Sequence, residues 1–285
     1  MADLDFQTLE NVGYAVTLTA IPDARSEAAH ALRARYNRDG LLVIRGLRLS
    51  EAEQMAVCRL FGPVSASPCD NFIVSNVEKN GFLGKRELLW HNDVPYLPAP
   101  YLGGSLHALH VDPDAVGTRY ASGYLAYERL PVPLRARLEA GKALHVRERV
   151  MDRPNRLTDL QAGDVCTVHD VIRTNPITGR KFLFVNHAWT AQIIGLSEAD
   201  GDDLLTEIFA HFYTAQNIYE HAWSEGDLVI WDNLALQHAR GAVGTGVRTL
   251  QRVTIAEFGY AQQYPTDLAI QTALGNEEML GAAAA

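Results

Sequence analysis

The chain reads as a mixed α/β protein, mainly β, in which a few helices flank a distorted double-sheet barrel. Two patterns point there: short apolar or alternating runs recur between Gly, Pro, Asn and Asp clusters, and helical apolar stripes are confined to a few segments. Size agrees. With 285 residues, 47% apolar and 21% charged, the chain has ordinary globular composition and enough length for one sizeable core, so one domain over 1–285 is expected.

In order, residues 11–19 alternate as a strand, and Ala29, Leu32 and Tyr36 mark a helix over 26–36. Asp39-Gly40 ends it, and Leu41-Leu42-Val43-Ile44 is a buried strand. Ser50, followed by Glu51 and Glu53, caps a helix that stops before Gly62-Pro63. Strands are expected at 72–74 and 102–111, then a helix over 123–140 interrupted at Pro131 and Pro133. Residues 151–164 are polar and aperiodic, which suggests a mobile, lid-like loop, and 276–285 a flexible tail. The segment 170–186 reads strand–turn–strand about Pro176-Ile177-Thr178-Gly179. Ser197 opens a helix to about Tyr213, and 227–230 and 249–258 are strands around a loop holding His238.

Charge and cysteine usage narrow the function classes. A net charge of −9 with no basic run argues against nucleic acid and anionic membrane. No apolar run approaches the roughly 18 residues of a membrane span, and the first residues lack the pattern of a signal peptide. Cys58, Cys69 and Cys166 are odd in number and irregularly spaced, as expected of buried small hydrophobes in a reducing cytoplasm. The expected partner is a small-molecule substrate, with a homo-oligomer permitted.

The chemistry centres on Trp90-His91-Asn92-Asp93. In extended chain, positions 91 and 93 point to one side, so an imidazole and a carboxylate converge. They could form two-thirds of a facial metal triad, although a solvated surface His-x-Asp has the same spelling. His238, five residues beyond the Asp232-Asn233 turn, is a candidate third ligand and could equally be an ordinary loop histidine. On a strand, Arg248, Leu250 and Arg252 share a face, so two guanidiniums would enter one cavity. Burying both is costly unless an anion meets them, which a carboxylate ligand would do; pairing with chain carboxylates is the alternative.

Together His91-x-Asp93, Thr118, Trp231-Asp232-Asn233, His238, Arg248 and Arg252 resemble the taurine dioxygenase (TauD/TfdA) family of iron(II)/2-oxoglutarate oxygenases. The likeness runs from about residue 40 to 258 and is densest in 175–186 and 226–252. It implies a jelly-roll barrel, the double-stranded β-helix, and Fe(II) held by His91, Asp93 and His238. It also implies 2-oxoglutarate and O2 as co-substrates. Arg248 and Thr118 match the residues that take the far carboxylate of 2-oxoglutarate, and Arg252 matches one near the iron-bound end or the substrate's anionic group. Halogenases of similar type carry a small residue where Asp93 stands, so halogenation is not expected.

The implied reaction oxidises an unactivated C–H bond, most simply by hydroxylation, and yields succinate and CO2. Desaturation, epimerisation or ring closure would use the same cofactor chemistry, and a non-catalytic metal- and acid-binding barrel is the reading from another class. Phe61-Gly62 is followed by residues 63–71, which contain neither the histidine nor the tyrosine that the taurine enzyme offers to sulfonate. Glu87, Leu89, Tyr96, His187 and Trp189, with Arg252, are the candidate substrate residues. Such a lining favours a larger, less charged substrate, such as a secondary metabolite or a modified amino acid, although Tyr96 and Trp189 could equally be core residues.

Overall fold

A computed structural model describes residues 4–10, 12–67, 69–78, 82–84, 87–147, 157–161, 164–241 and 244–263. An eight-stranded sheet takes in Phe6–Thr8, Tyr14–Thr17, Leu41–Arg45, Leu228–Asp232, Gly103–Val111, Arg248–Ile255, Ile73–Ser75 and Phe82–Leu83, in that spatial order. A four-stranded sheet is ordered Ile218–His221, Thr118–Ser122, Leu236–Arg240, Leu88–His91.

Alternation along the strands shows how the layers stack. Leu41, Val43, Val229, Trp231 and Leu250 of the large sheet share one core with Tyr120 and Leu236 of the small sheet. Their neighbours Leu42, Ile44, Leu228, Ile230, Val253 and Ile255 face the other way, against helices Glu27–Asp39 and Glu51–Cys58. Behind the small sheet, Trp90, Ala121 and Ala239 pack with residues of Gly123–Glu128, Val132–Leu138 and Glu198–Phe212. Two inner faces therefore enclose the core, and helices cover the outer ones. Strands buried on both faces read as unbroken apolar runs, which is why Leu41–Ile44 shows no alternation.

Local signals account for the helix ends. Ser26 caps the first helix and Gly40 ends it at φ 81°, where its N–H bonds Tyr36 at 2.7 Å. Ser50 and Glu53 form a reciprocal capping box, and Ser197 caps the long helix by accepting from Asp200 N–H. The helix expected over 123–140 is two, Gly123–Glu128 and Val132–Leu138, with Pro131 as the N-cap of the second.

Several expectations need correction. His238 lies on a strand, Leu236–Arg240, not in a loop. Periodicity also missed a three-stranded sheet of Cys166–Asp170, Lys142–Val146 and Thr190–Ile193, whose strands are short and partly exposed. Only Cys58 is buried; Cys69 is intermediate and Cys166 exposed, because Cys166 sits on an edge strand. The expected lid and tail fall largely outside the described residues, although Leu157–Asp159 forms a 3₁₀ turn. Among the described residues no helix is long and apolar enough to cross a membrane.

Candidate metal and organic-acid site

His91 closes the strand Leu88–His91, directly across from His238 in the antiparallel pair. Trp90 faces the outer helices, so His91 faces inward, and the extended chain returns Asp93 to the same side. Val94 then turns the chain at φ 48°, a conformation that costs a β-branched residue energy and is held here by the packed segment around it. One ligand atom from each of His91, Asp93 and His238 lies within 4.8 Å of the others.

The ring orientations suit metal binding. His91 Nδ1 donates to the Leu89 carbonyl at 2.7 Å, which leaves Nε2 facing Asp93 at 3.9 Å. His238 Nε2 stands 3.8 Å from the other carboxylate oxygen. The Trp231 ring supports His238 at 4.9 Å between centroids. Gly104 makes room for that ring, since a Cβ there would meet it at 2.5 Å. Burial lowers the pKa of both imidazoles, so they stay in the neutral form that ligates metals. For Asp93, burial opposes ionisation, but the charge and hydrogen bond of Arg252 hold its carboxyl well below the usual carboxylate range. An anionic oxygen and two neutral nitrogens is the donor set of a facial triad.

The amides around this segment were present in the sequence without a role. Asn233 Oδ1 accepts from Asp93 N–H at 2.7 Å, while its Nδ2 donates to the Asp93 and Tyr101 carbonyls at 3.0 Å. Asn92, pointing away from the ligands, donates to Asn233 O at 2.6 Å and accepts from Asn186. The Asp-Asn turn therefore clamps the backbone at Asp93. Asn233→Ala is expected to lower unfolding free energy by about 2–4 kcal/mol, since it leaves buried backbone groups unpaired. It should also weaken metal binding; urea melts and a metal titration measure both.

The two arginines of Arg248–Ile255 have different surroundings. Arg252 pairs with Asp93 Oδ2 at 2.8 Å and lies over the Phe72 ring at 5.3 Å. Its charge is thus met by the chain itself, so the need for a ligand anion falls on Arg248. Arg248 is 4% exposed and donates to the carbonyls of Val116 (2.9 Å) and Gly117 (3.3 Å) and to Thr118 Oγ1 (3.2 Å), all uncharged. Trp223 Nε1 donates to the same Thr118 oxygen at 3.0 Å. Burial, then the charge of Arg240, lowers the Arg248 pKa to about 10. Among the described residues no carboxylate forms an ion pair with Arg248.

Of the candidate substrate residues, Tyr96 and Trp189 meet at 5.0 Å between ring centroids, and Trp189 stands edge-on to His91 at 6.4 Å. Trp189 Nε1 is buried without a partner among the described residues. Leu89 is half-buried and Glu87 exposed, ahead of the strand. His187 is a correction: its ring packs on Phe209 and Tyr213, at 4.2 and 4.5 Å, toward the outer helix. Residues 187–189 form a turn, with Trp189 N–H on Asn186 Oδ1, so i and i+2 do not share a face there. Sequence reasoning also missed Arg240, which is 2% exposed two positions after His238; the alternation of Leu236, His238 and Arg240 was the available signal.

The family model "Taurine catabolism dioxygenase TauD, TfdA family" matches residues 5–254. The alpha-ketoglutarate-dependent 2,4-dichlorophenoxyacetate dioxygenase of Cupriavidus pinatubonensis is 30% identical over 223 residues, covering 70% of this chain and 77% of that protein. Pentalenolactone F synthase of Streptomyces arenae is 30% identical over 246 residues, covering 76% and 82%. A crystal structure of a taurine dioxygenase from Burkholderia xenovorans superposes with TM-score 0.74 at 22% identity, over 89% of this chain and 90% of that one.

Proposed function

This chain belongs to the TauD, TfdA family of dioxygenases, and from that premise we propose that His91, Asp93 and His238 hold Fe(II) while Arg248 and Thr118 hold the far carboxylate of 2-oxoglutarate. It is an α-ketoglutarate-dependent dioxygenase, as its curated relatives are. One observation carries the site assignment: ligand atoms of His91, Asp93 and His238 converge within 4.8 Å, with both imidazoles buried. The two facing sheets correspond to a double-stranded β-helix in one catalytic domain.

The donor set fits iron and leaves three of six octahedral positions for ligands. Iron, 2-oxoglutarate and O2 together supply an oxidant for a C–H bond, with release of succinate and CO2. The chain's residues do the rest. Arg252 and Asn233 fix Asp93, and Arg248 with Thr118 orients the co-substrate. Tyr96 and Trp189 form an aromatic wall beside His91, and the Trp189 N–H, which has no partner among the described residues, favours a substrate with an acceptor near its apolar body.

The substrate is a small organic molecule, and an apolar or aromatic one from secondary metabolism suits this wall best. Hydroxylation is the first reading. Desaturation, epimerisation or ring formation, which would use the same cofactor chemistry, is the second. Product mass separates hydroxylation from desaturation: a gain of one oxygen against a loss of two hydrogens. Anaerobic addition of Fe(II) and 2-oxoglutarate should produce a visible charge-transfer band, and a compound panel should reveal substrates that stimulate succinate release. Folded, metal-loaded protein with no band would refute the assignment. A band without stimulated succinate across the panel would favour a non-catalytic binding barrel.

A further inference from the structure

We propose that Trp223 is a positioning residue for the co-substrate: its indole N–H makes the Thr118 hydroxyl an obligate hydrogen-bond donor to the far carboxylate of 2-oxoglutarate. This rests on the reading of the site as a 2-oxoglutarate site.

Hydrogen-bond counting carries the inference. Thr118 opens the strand Thr118–Ser122 and is 3% exposed, on the same side as Tyr120 of the core between the sheets. A hydroxyl offers two acceptor lone pairs and one proton. Trp223 Nε1 donates to Thr118 Oγ1 at 3.0 Å, and Arg248 Nη1 donates to the same oxygen at 3.2 Å. Indole and guanidinium N–H groups can only donate, so both lone pairs are taken. The O–H proton must then point away from both donors. Among the described residues no acceptor receives it. A buried donor without an acceptor is costly, so the ligand of this pocket is the group that completes it. A carboxylate oxygen answers the hydroxyl and the Arg248 charge at once. Without the Trp223 bond one lone pair would be free, and the hydroxyl could serve a ligand as acceptor as readily as donor.

The chain around Trp223 fixes the indole before any ligand arrives. His221 pairs with Thr118 across the small sheet, and Trp223 follows two positions on. The Trp223 ring stands edge-on to His221 at 4.6 Å between centroids, and His221 Nε2 lies 3.1 Å from Asp227 Oδ2. The same carboxylate oxygen accepts from Ser224 N–H at 3.0 Å, which closes the turn directly after Trp223. A donor held in advance needs no ordering when the co-substrate enters. Two bonds received by one hydroxyl also polarise it, which strengthens the bond that it gives.

The test uses the full chain loaded with Mn(II), titrated by calorimetry with 2-oxoglutarate and with 2-oxobutyrate, which has the same keto-acid head and no distal carboxylate. Trp223→Phe keeps an aromatic ring and removes the N–H. It should weaken 2-oxoglutarate about 3- to 10-fold and leave 2-oxobutyrate within about twofold. Thr118→Val should weaken 2-oxoglutarate at least as much, and adding Trp223→Phe to it should cause no further loss, because the bond is already gone. Thr118→Ser, which keeps the hydroxyl, should retain most of the affinity. Unchanged 2-oxoglutarate affinity in Trp223→Phe overturns the proposal. So does an equal loss for both acids, or a loss that persists in full on the Thr118→Val background; either makes Trp223 a packing residue. If Trp223→Phe does not fold, NMR of Zn(II)-loaded wild-type protein decides. The Trp223 indole N–H signal, recognised by its displacement in Thr118→Val, should shift with 2-oxoglutarate and stay in place with 2-oxobutyrate. No shift with 2-oxoglutarate overturns the proposal. Wild-type protein that binds the two acids equally would instead refute the far-carboxylate site as a whole, Arg248 included, and the role of Trp223 with it.

Discussion

His91→Ala protein is expected to fold and to form no measurable succinate. Loss of outer-shell partners at metal sites typically costs about 10- to 100-fold, so deleting a direct ligand should exceed that range. His238→Ala should behave alike. Asp93→Ala differs, because Asp93 also neutralises Arg252 at 2.8 Å. Removing one partner of a buried pair leaves the other charge stranded, at about 3–5 kcal/mol. Asp93→Ala should therefore lose both activity and stability, and Asp93→Ala combined with Arg252→Met should recover stability alone. Succinate assays and urea melts separate these outcomes. Near-wild-type turnover in His91→Ala would show that the iron is held elsewhere.

Arg248→Met should show the opposite coupling. Without co-substrate, Arg248 is a buried cation among uncharged acceptors, a costly state. Its replacement by an apolar side chain of similar length should leave the ligand-free protein at least as stable. The affinity for 2-oxoglutarate should fall by at least about 100-fold, since a paired charge-assisted contact is lost. Calorimetric titration of metal-loaded protein gives the affinity, and thermal melts with and without 2-oxoglutarate give the linkage. An unchanged affinity would mean that the co-substrate's far end lies elsewhere.

Much of this site was legible in sequence because its signals are local. His91 and Asp93 are two apart on extended chain, and so share a side whatever the rest of the fold does. Arg248 and Arg252 lie on one strand and both are buried. Capping residues such as Ser50 with Glu53, and Pro131 between two helices, act through neighbouring backbone and were read correctly in kind. Alternation misled at His187, where a turn stabilised by Asn186 breaks the period. It was also silent for the three-stranded sheet, whose short strands set polar residues such as His145 and Thr190 at buried positions.

Along the chain, then, the candidate ligands, the resemblance that groups them and the mainly β architecture were already legible, because residue type and short-range periodicity encode them. Which charge meets which was not. Arg252 pairs with a carboxylate 159 residues away, and Asn233 clamps a backbone 140 residues away. Arg252 and Asn233 belong to or follow strands of the large sheet and Asp93 follows a strand of the small one, so only the packing of the two sheets brings them together. The register of Arg248–Ile255 likewise leaves Arg248 facing neutral acceptors, since a one-residue slip of that strand would turn the side chain out of the core.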